Sequence, residues 1–423
     1  MTQRVEKQHW QDTANDLMLH NAQVVLEREL MHGGVLVQHG RIASVFSEQD
    51  KPAAVPGADI IDLGYRYLAP GMLDIHIHGG AGIDVQATDE TGLEKLSEYL
   101  LSKGVTSYVP TFVPADEDSY RSSLDVVGAY FSAQQPKDSI AQAGPSPRAR
   151  VLGVHFEGPF VSHNRCGALK REFFRTFSGI NAEIDLVVKV VEAAGGAGVR
   201  LMTVAPEVEG GVELIRALTA RGVRTFIGHT QAQPETLDSA FDAGARHITH
   251  FPNALDPLHH RKPGAVAWGL TRRDVSFDCI ADLHHVDALM LRLMYQAKGS
   301  DRMALISDSI MPAGLGDGHY TVWGEPIAVR NGKTSLVNAP SDTIAGSVIT
   351  MLDALKNIAA MGVPLVDAIK MSSLTPARAA GVDDLYGSIQ QGKIADLIVL
   401  NDILDPCLAV SAGHVHVLET PFK

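Results

Sequence analysis

The segment Leu73–Gly80 reads LDIHIHGG, an apolar run that carries His76 and His78 one residue apart and ends in two glycines. Side chains two apart on a strand leave it on the same face, so both imidazoles point one way and could grip one metal ion. A His-x-His pair alone is a short motif with a high chance frequency, and its meaning depends on what lies beside it. Four other apolar runs end in groups of the same chemical kind. VLGVHFEGPF delivers Glu157, RTFIGHT delivers His229, RHITHFPNA delivers His250 and MALISDS delivers Asp308. Each polar group interrupts a hydrophobic stretch, where burial without a partner costs roughly 2–7 kcal/mol. Imidazole nitrogens and carboxylate oxygens are the donor set of divalent zinc, iron or manganese. Four histidines and two carboxylates at the ends of five different runs predict a metal centre rather than six unrelated core polar groups.

Such convergence requires a fold that brings many strand ends to one place. Apolar, β-branched runs begin near Met72, Val105, Val151, Val199, Val223, His247, Val275 and Met303. Helix-like stretches such as Thr91–Gly104 and Pro234–Ala245 separate them, and several end in glycine just before the next strand, a common helix stop. Alternation of strand and helix implies parallel pairing with right-handed crossovers. Eight such units predict an α/β protein built on a closed (β/α)8 TIM-type barrel, whose chemistry belongs at the C-terminal ends of the strands. An open doubly wound sheet is the competing architecture, but no glycine-rich dinucleotide fingerprint supports it. Both chain ends are rich in valine and isoleucine with glycine punctuation. Residues 1–68 and 383–423 are therefore expected to form one small β-sandwich domain, flanking a barrel over 69–382. The polar stretch Ser132–Arg148 reads as a surface loop, and Asn331-Gly332 between β-prone runs reads as a hairpin turn.

Composition narrows the function. The 423 residues are 45% hydrophobic and 20% charged, the balance of a globular protein, with no apolar run long enough to suggest a membrane span. A net charge of −13 argues against a nucleic-acid partner yet leaves room for a small anion held by local cations. Three widely spaced cysteines, Cys166, Cys279 and Cys407, give neither a disulfide framework nor a cysteine zinc site. With no secretory signal at the start, a cytoplasmic location is expected.

The blocks PGMLDIHIHG, HFEGPF, MTVAPE, GHTQA, THFPNALDPLHHRKPG, DRMALISDSIMPAG, TIAGSVITM and LTPARAAG follow one another between about Leu68 and Leu400. Taken in that order, they resemble the N-acetylglucosamine-6-phosphate deacetylase family of the amidohydrolase superfamily. The resemblance implies that Glu157, His229 and His250 hold a principal metal. It gives His76 and His78 to a second metal bridged by Glu157, and makes Asp308 the general acid–base. Ala168, Asn253, Ala254, Arg261 and His285 would contact substrate, Arg261 through a phosphate. Position alone leaves Arg261 open between that role and an ion pair with Asp256; the resemblance selects the phosphate.

The implied reaction is hydrolysis of the N-acetyl amide of an amino-sugar phosphate, N-acetylglucosamine 6-phosphate foremost, by a homodimer. It would need one or two divalent ions, zinc first, with iron or manganese as alternatives. Three departures fall in the substrate shell. Leu169 and Leu283 stand where the family carries histidine and glycine, and Phe251-Pro252 replaces Leu-Phe. These leave open a different N-acyl sugar such as N-acetylgalactosamine 6-phosphate, or a cyclic amide. A non-catalytic sugar-phosphate binder is the reading from another class, and it predicts a missing ligand or acid–base group.

Overall fold

The barrel strands are where the sequence puts them. The structure, a computed structural model, describes residues 16–53, 55–134, 148–179, 198–339 and 343–418. Most of the polar loop expected at Ser132–Arg148, and Glu419 of the last β segment, lie outside the described residues. The eight strands are β1 (Met72–Ile77), β2 (Val105–Phe112), β3 (Gly153–Glu157) and β4 (Val199–Val204), followed by β5 (Arg224–Ile227), β6 (His247–Ile248), β7 (Ser276–Ile280) and β8 (Met303–Ile306). Each pairs in parallel with the next. Closure of β8 onto β1 is made just past the strand ends. Asp308 N–H donates to His76 O at 2.9 Å, and the N–H groups of His78 and Gly79 both donate to Ser309 O at 2.8 and 2.9 Å. One layer deeper, Ser307 Oγ donates to Asp74 Oδ2 at 2.5 Å.

Local sequence explains the helices between the strands. Helix Glu90–Ser102 starts where the Asp89 side chain accepts from Gly92 N–H, and helix Pro234–Ala243 opens on a proline with no N–H to lose. Their leucines and alanines bury one face against the strands in a single large core that includes Leu93, Leu96, Leu237, Ala240, Phe156 and Ile248. The double glycine after His78 has a steric cause. Gly79–Gly80 forms a two-residue ribbon with Ile83–Asp84, and a Cβ on Gly79 would lie 2.1 Å from Ile83 O.

Both chain ends meet in one eight-stranded, mostly antiparallel sheet, joined where Tyr67–Pro70 pairs with Leu397–Leu400. The sheet curls so that its edge strand Arg41–Ser47 meets the segment leading into Leu397–Leu400. Ile42 N–H donates to Lys393 O and Ala395 N–H to Gly40 O, both at 2.9 Å. Leu19, Val24, Val35, Leu68, Leu397, Val399 and Leu408 fill the interior thus enclosed. The expected hairpin also forms, with Asn331 and Gly332 at φ of +53° and +74°, as a type I′ turn demands. A third strand, Gly318–Val322, widens it into a small sheet. None of the three cysteines forms a disulfide, and among the described residues no helix is long and apolar enough to cross a membrane.

The eight-stranded sheet is pinned to the barrel by a buried ion pair. Asp396 accepts from the Arg150 guanidinium beside β3, from Ser107 Oγ on β2 at 3.3 Å, and from Ala412 N–H at 2.9 Å. Removing one partner of a buried pair leaves the other uncompensated, at a cost of about 3–5 kcal/mol. Asp396→Ala should therefore lose about 3–5 kcal/mol of unfolding free energy in urea. A loss below about 1 kcal/mol, the level of a surface pair, would show that the contact does not join the two parts.

Candidate active site

The six residues singled out in the sequence converge on one point at the C-terminal ends of the strands. Glu157, the last residue of β3, lies at the centre and is buried. Its Oε1 is 2.9 Å from His229 Nε2, 2.9 Å from His250 Nε2 and 3.6 Å from His76 Nε2; its Oε2 is 3.4 Å from His78 Nε2. The two histidine pairs are each in contact, His229 with His250 at 3.0 Å and His76 with His78 at 3.1 Å between Nε2 atoms. Asp308 Oδ1 sits 3.4 Å from His76 Nε2 and 3.2 Å from His78 Nε2. Two overlapping groups with metal-ligand spacing result, His76–His78–Glu157 and Glu157–His229–His250, sharing the glutamate.

The remaining ring nitrogens fix the state of two of these imidazoles. His229 Nδ1 lies 2.7 Å from Arg165 O, and His78 Nδ1 lies 3.0 Å from Thr111 O. A carbonyl only accepts, so both rings carry a proton on Nδ1 and turn Nε2 towards the Glu157 carboxylate. A lone pair facing a carboxylate oxygen across such a gap is repulsive unless a cation or an additional proton lies between them. Charge shifts report the same demand. Burial alone would raise the Glu157 carboxyl, but His76 and hydrogen bonds from His229, His250 and His78 hold it well below the usual carboxylate range. Burial alone would depress His78 and His250; the carboxylates of Asp308 and Glu157 lift His78 to about 10, and Glu157 lifts His250 to about 8. For His76 burial prevails, and its imidazole is pushed well down.

Backbone geometry at the site is unusual. His229, His250 and Asp308 have φ of +47°, +32° and +48°, in the left-handed region that side chains other than glycine seldom occupy. Such conformations cluster where a fold turns a side chain onto a functional point. All three stand just past the end of a barrel strand, and the reversal turns His229 and His250 onto Glu157 and Asp308 onto the His76–His78 pair.

The expected substrate residues are placed less uniformly. Asn253 and Ala254 follow His250 directly, with Asn253 N–H and Nδ2 both donating to His250 O at 2.7 and 3.1 Å. His285 sits beyond β7, its Nδ1 2.7 Å from Asp282 Oδ2, which aims the other nitrogen away. Ala168 is half-buried and packs with the small sheet that carries the Asn331-Gly332 turn. Arg261 is exposed and touches His260 Nε2 at 2.9 Å. The competing ion pair with Asp256 does not form, because Asp256 binds Arg165. Leu169 is buried in an apolar cluster with Val113, Val161, Phe174 and Trp323, and Leu283 projects into solvent from a φ of +64°.

Two features escaped the sequence reading. Trp323, in the widened sheet, sets its ring edge-on to His78 with centroids 5.1 Å apart; nothing local in the sequence marks it. Beneath the histidines lies a buried polar layer of Asp74, His155, Thr203, His247, Thr249, Asp278 and Ser307. Here the signal was present. Asp74, His76 and His78 alternate along β1, and His155 and Glu157 along β3, so each deeper residue shares a face with a residue of the site.

Comparison with known proteins agrees with this geometry. The Amidohydrolase family matches residues 67–422. An N-acetylglucosamine-6-phosphate deacetylase of Bacillus subtilis (strain 168) is 32% identical over 404 residues, covering 95% of this chain and 97% of its own. An N-acetylgalactosamine-6-phosphate deacetylase of Escherichia coli O157:H7 is 36% identical over 335 residues, covering 79% and 83%. The crystal structure of N-acetylglucosamine-6-phosphate deacetylase from Pasteurella multocida superposes with a TM-score of 0.83 at 27% identity, over 95% of this chain and all of that one. With the barrel, the shared glutamate and these relatives in agreement, the chain belongs to the amidohydrolase family, and within it to the N-acetylglucosamine-6-phosphate deacetylase family.

Proposed function

We propose that the chain hydrolyses the N-acetyl amide of an N-acetylhexosamine 6-phosphate, N-acetylglucosamine 6-phosphate foremost, giving acetate and the amino-sugar phosphate. The observation that carries this reading is the shared Glu157 carboxylate, faced from both sides by the Nε2 atoms of two histidine pairs. The residues fit a divalent ion. Glu157, His229 and His250 would hold the principal one, and His76 and His78 a second with Glu157 between them. Nitrogen and oxygen donors of this kind suit zinc, with iron or manganese as alternatives. When bound, such an ion lowers the pKa of water towards 7 and polarises an acyl oxygen.

The protein's own groups supply the remainder. Asp308 lies over the His76–His78 pair, within reach of a water and of an amide placed between the histidine pairs. It takes the proton released as water attacks the acyl carbon and delivers it to the sugar nitrogen as the C–N bond breaks. The amine then leaves neutral rather than as an unstable amide anion. The backbone strain at Asp308 is held by Ser347 N–H, which donates to Asp308 O at 2.7 Å, so its carboxylate keeps one orientation through both transfers. Arg261, exposed and without an ion-pair partner among the described residues, is available for the phosphate, which a guanidinium grips in a planar two-point contact.

A second substrate is favoured by particular observations. Leu169 cannot donate a hydrogen bond and packs among apolar neighbours, so a hydroxyl read by the family's histidine goes unread. The N-acetylgalactosamine-6-phosphate deacetylase is 36% identical to this chain over 335 residues, the Bacillus subtilis N-acetylglucosamine-6-phosphate deacetylase 32% over 404. N-acetylgalactosamine 6-phosphate is therefore the second substrate to assay.

Asp308→Asn should retain its metal and its substrate affinity but lose about 10²–10⁴-fold in kcat, the usual contribution of an acid–base group. Near-normal turnover in that variant would remove Asp308 from the chemistry. For the phosphate, Arg261→Ala or use of the unphosphorylated sugar should each lower kcat/KM by about ten- to a hundredfold, the worth of a charge-assisted hydrogen bond. The two changes together should cost little more than either, since both delete one contact. Fully additive losses would assign the phosphate to another residue.

A further inference from the structure

The metal-facing histidines are not held alike. His78 and His229 each anchor the ring through Nδ1 on a backbone carbonyl, the arrangement that ordinarily fixes a ligating imidazole. Among the described residues, His76 and His250 have no hydrogen-bond partner on Nδ1. His76 lies inside β1, its N–H donating to Asp74 Oδ1 at 3.4 Å and its carbonyl accepting from Asp308 N–H at 2.9 Å. His250 has no such support. It stands two residues beyond β6, at a φ of +32°.

What holds it is Asp278, on the neighbouring strand β7. One carboxylate oxygen of Asp278 accepts a short hydrogen bond from His250 N–H, and the Asp278 main-chain carbonyl accepts from Phe251 N–H at 2.8 Å. The peptide groups on either side of His250 are therefore clamped by one residue. The second carboxylate oxygen is 2.9 Å from His247 Nε2, whose Nδ1 is 2.8 Å from Ser276 Oγ. The His247 ring also packs on Phe226, with centroids 4.2 Å apart. All of these groups are buried or nearly so, and Asp278 is completely enclosed.

We propose that Asp278, oriented by His247, is the positioning residue for His250: it holds through the backbone the ligand whose ring lacks an anchor of its own. The inference rests on the reading of Glu157, His229 and His250 as metal ligands. What Asp278 contributes is an acceptor for the His250 N–H, not a charge aimed at the ion. An asparagine can do the same, its Oδ1 accepting from His250 N–H while its Nδ2 donates to His247 Nε2.

The test is titration of the metal-free full chain with cobalt(II), reading the visible absorption of the bound ion and its affinity against a chelator, with circular dichroism as the check on folding. Asp278→Ala should weaken binding at the Glu157–His229–His250 group by about ten- to a hundredfold, the usual effect of losing a group that orients a ligand, and should alter the cobalt spectrum. Asp278→Asn should restore both affinity and spectrum. In a His250→Ala background, Asp278→Ala should add no further loss, because it acts through a ligand already gone. A folded Asp278→Ala with wild-type affinity would overturn the proposal, as would an additive loss in the double variant. If Asp278→Ala does not fold, Asp278→Asn decides: wild-type affinity and spectrum support the acceptor role, and weakened binding overturns it. Wild-type protein that takes up no cobalt would instead overturn the metal reading itself, which keeps the two failures apart.

Discussion

A buried carboxylate shared by four imidazoles is the constraint around which the rest of this molecule is arranged. Glu157 lies in the barrel mouth with His76, His78, His229 and His250 around it, and water is nearly excluded from all five. Burying that many polar groups is unfavourable unless each finds a partner. Two of the histidines have only Nε2 left to face the carboxylate, because their Nδ1 is committed to a backbone carbonyl. The arrangement is satisfied by positive charge at its centre, supplied either by extra protons or by a divalent ion.

The barrel bears the cost of keeping this cluster in place. TIM-barrel interiors are mostly filled with branched aliphatic side chains, yet the layer under this site is polar. His155 bridges Ile75 O at 3.1 Å and Thr203 Oγ1 at 2.9 Å, and Thr203 meets Thr249 at 2.7 Å between hydroxyl oxygens. Asp74, pushed up to about 7 by burial, joins β1 to β8 through Ser307. Two members of this layer touch the ligand histidines through the main chain, Asp74 accepting from His76 N–H at 3.4 Å and Asp278 from His250 N–H. The layer also accompanies left-handed backbone at His229, His250 and Asp308, a strain of order 1–3 kcal/mol at each residue. Main-chain hydrogen bonds beside these positions, from Ser162 N–H to His229 O and from Ser347 N–H to Asp308 O, offset it.

Much of this was legible in the sequence, for physical reasons that differ from part to part. The eight strands could be read because each is an apolar run bounded by glycine or by a helix with its own cap, as at Asp89 and Gly104. The six site residues could be read because a polar group at the end of an apolar run is expensive, and Glu157 or His250 there demands a reason. Meeting of the chain ends followed from similar β composition, while the pairing of Tyr67–Pro70 with Leu397–Leu400 did not, since register between distant strands leaves no local mark. Trp323 was invisible for the same reason: its contact with His78 spans the chain. Asp278 and His247 were hidden differently, in that a buried Asp–His pair has the same sequence signature whether it braces a core or a ligand.

The most direct measurement is calorimetric titration of zinc into the metal-free protein at pH 7, repeated in buffers of different ionisation enthalpy. His78, lifted to about 10, and His250, lifted to about 8, both hold a proton at that pH in the absence of metal. An ion needs those nitrogens bare, so binding must expel protons, and affinity must rise as the pH is raised towards those values. The account predicts uptake of one to two equivalents of zinc, with an observed enthalpy that varies with the buffer, and loss of that uptake in Glu157→Ala. Binding that is unchanged in Glu157→Ala, or that proceeds without proton release at pH 7, would contradict it.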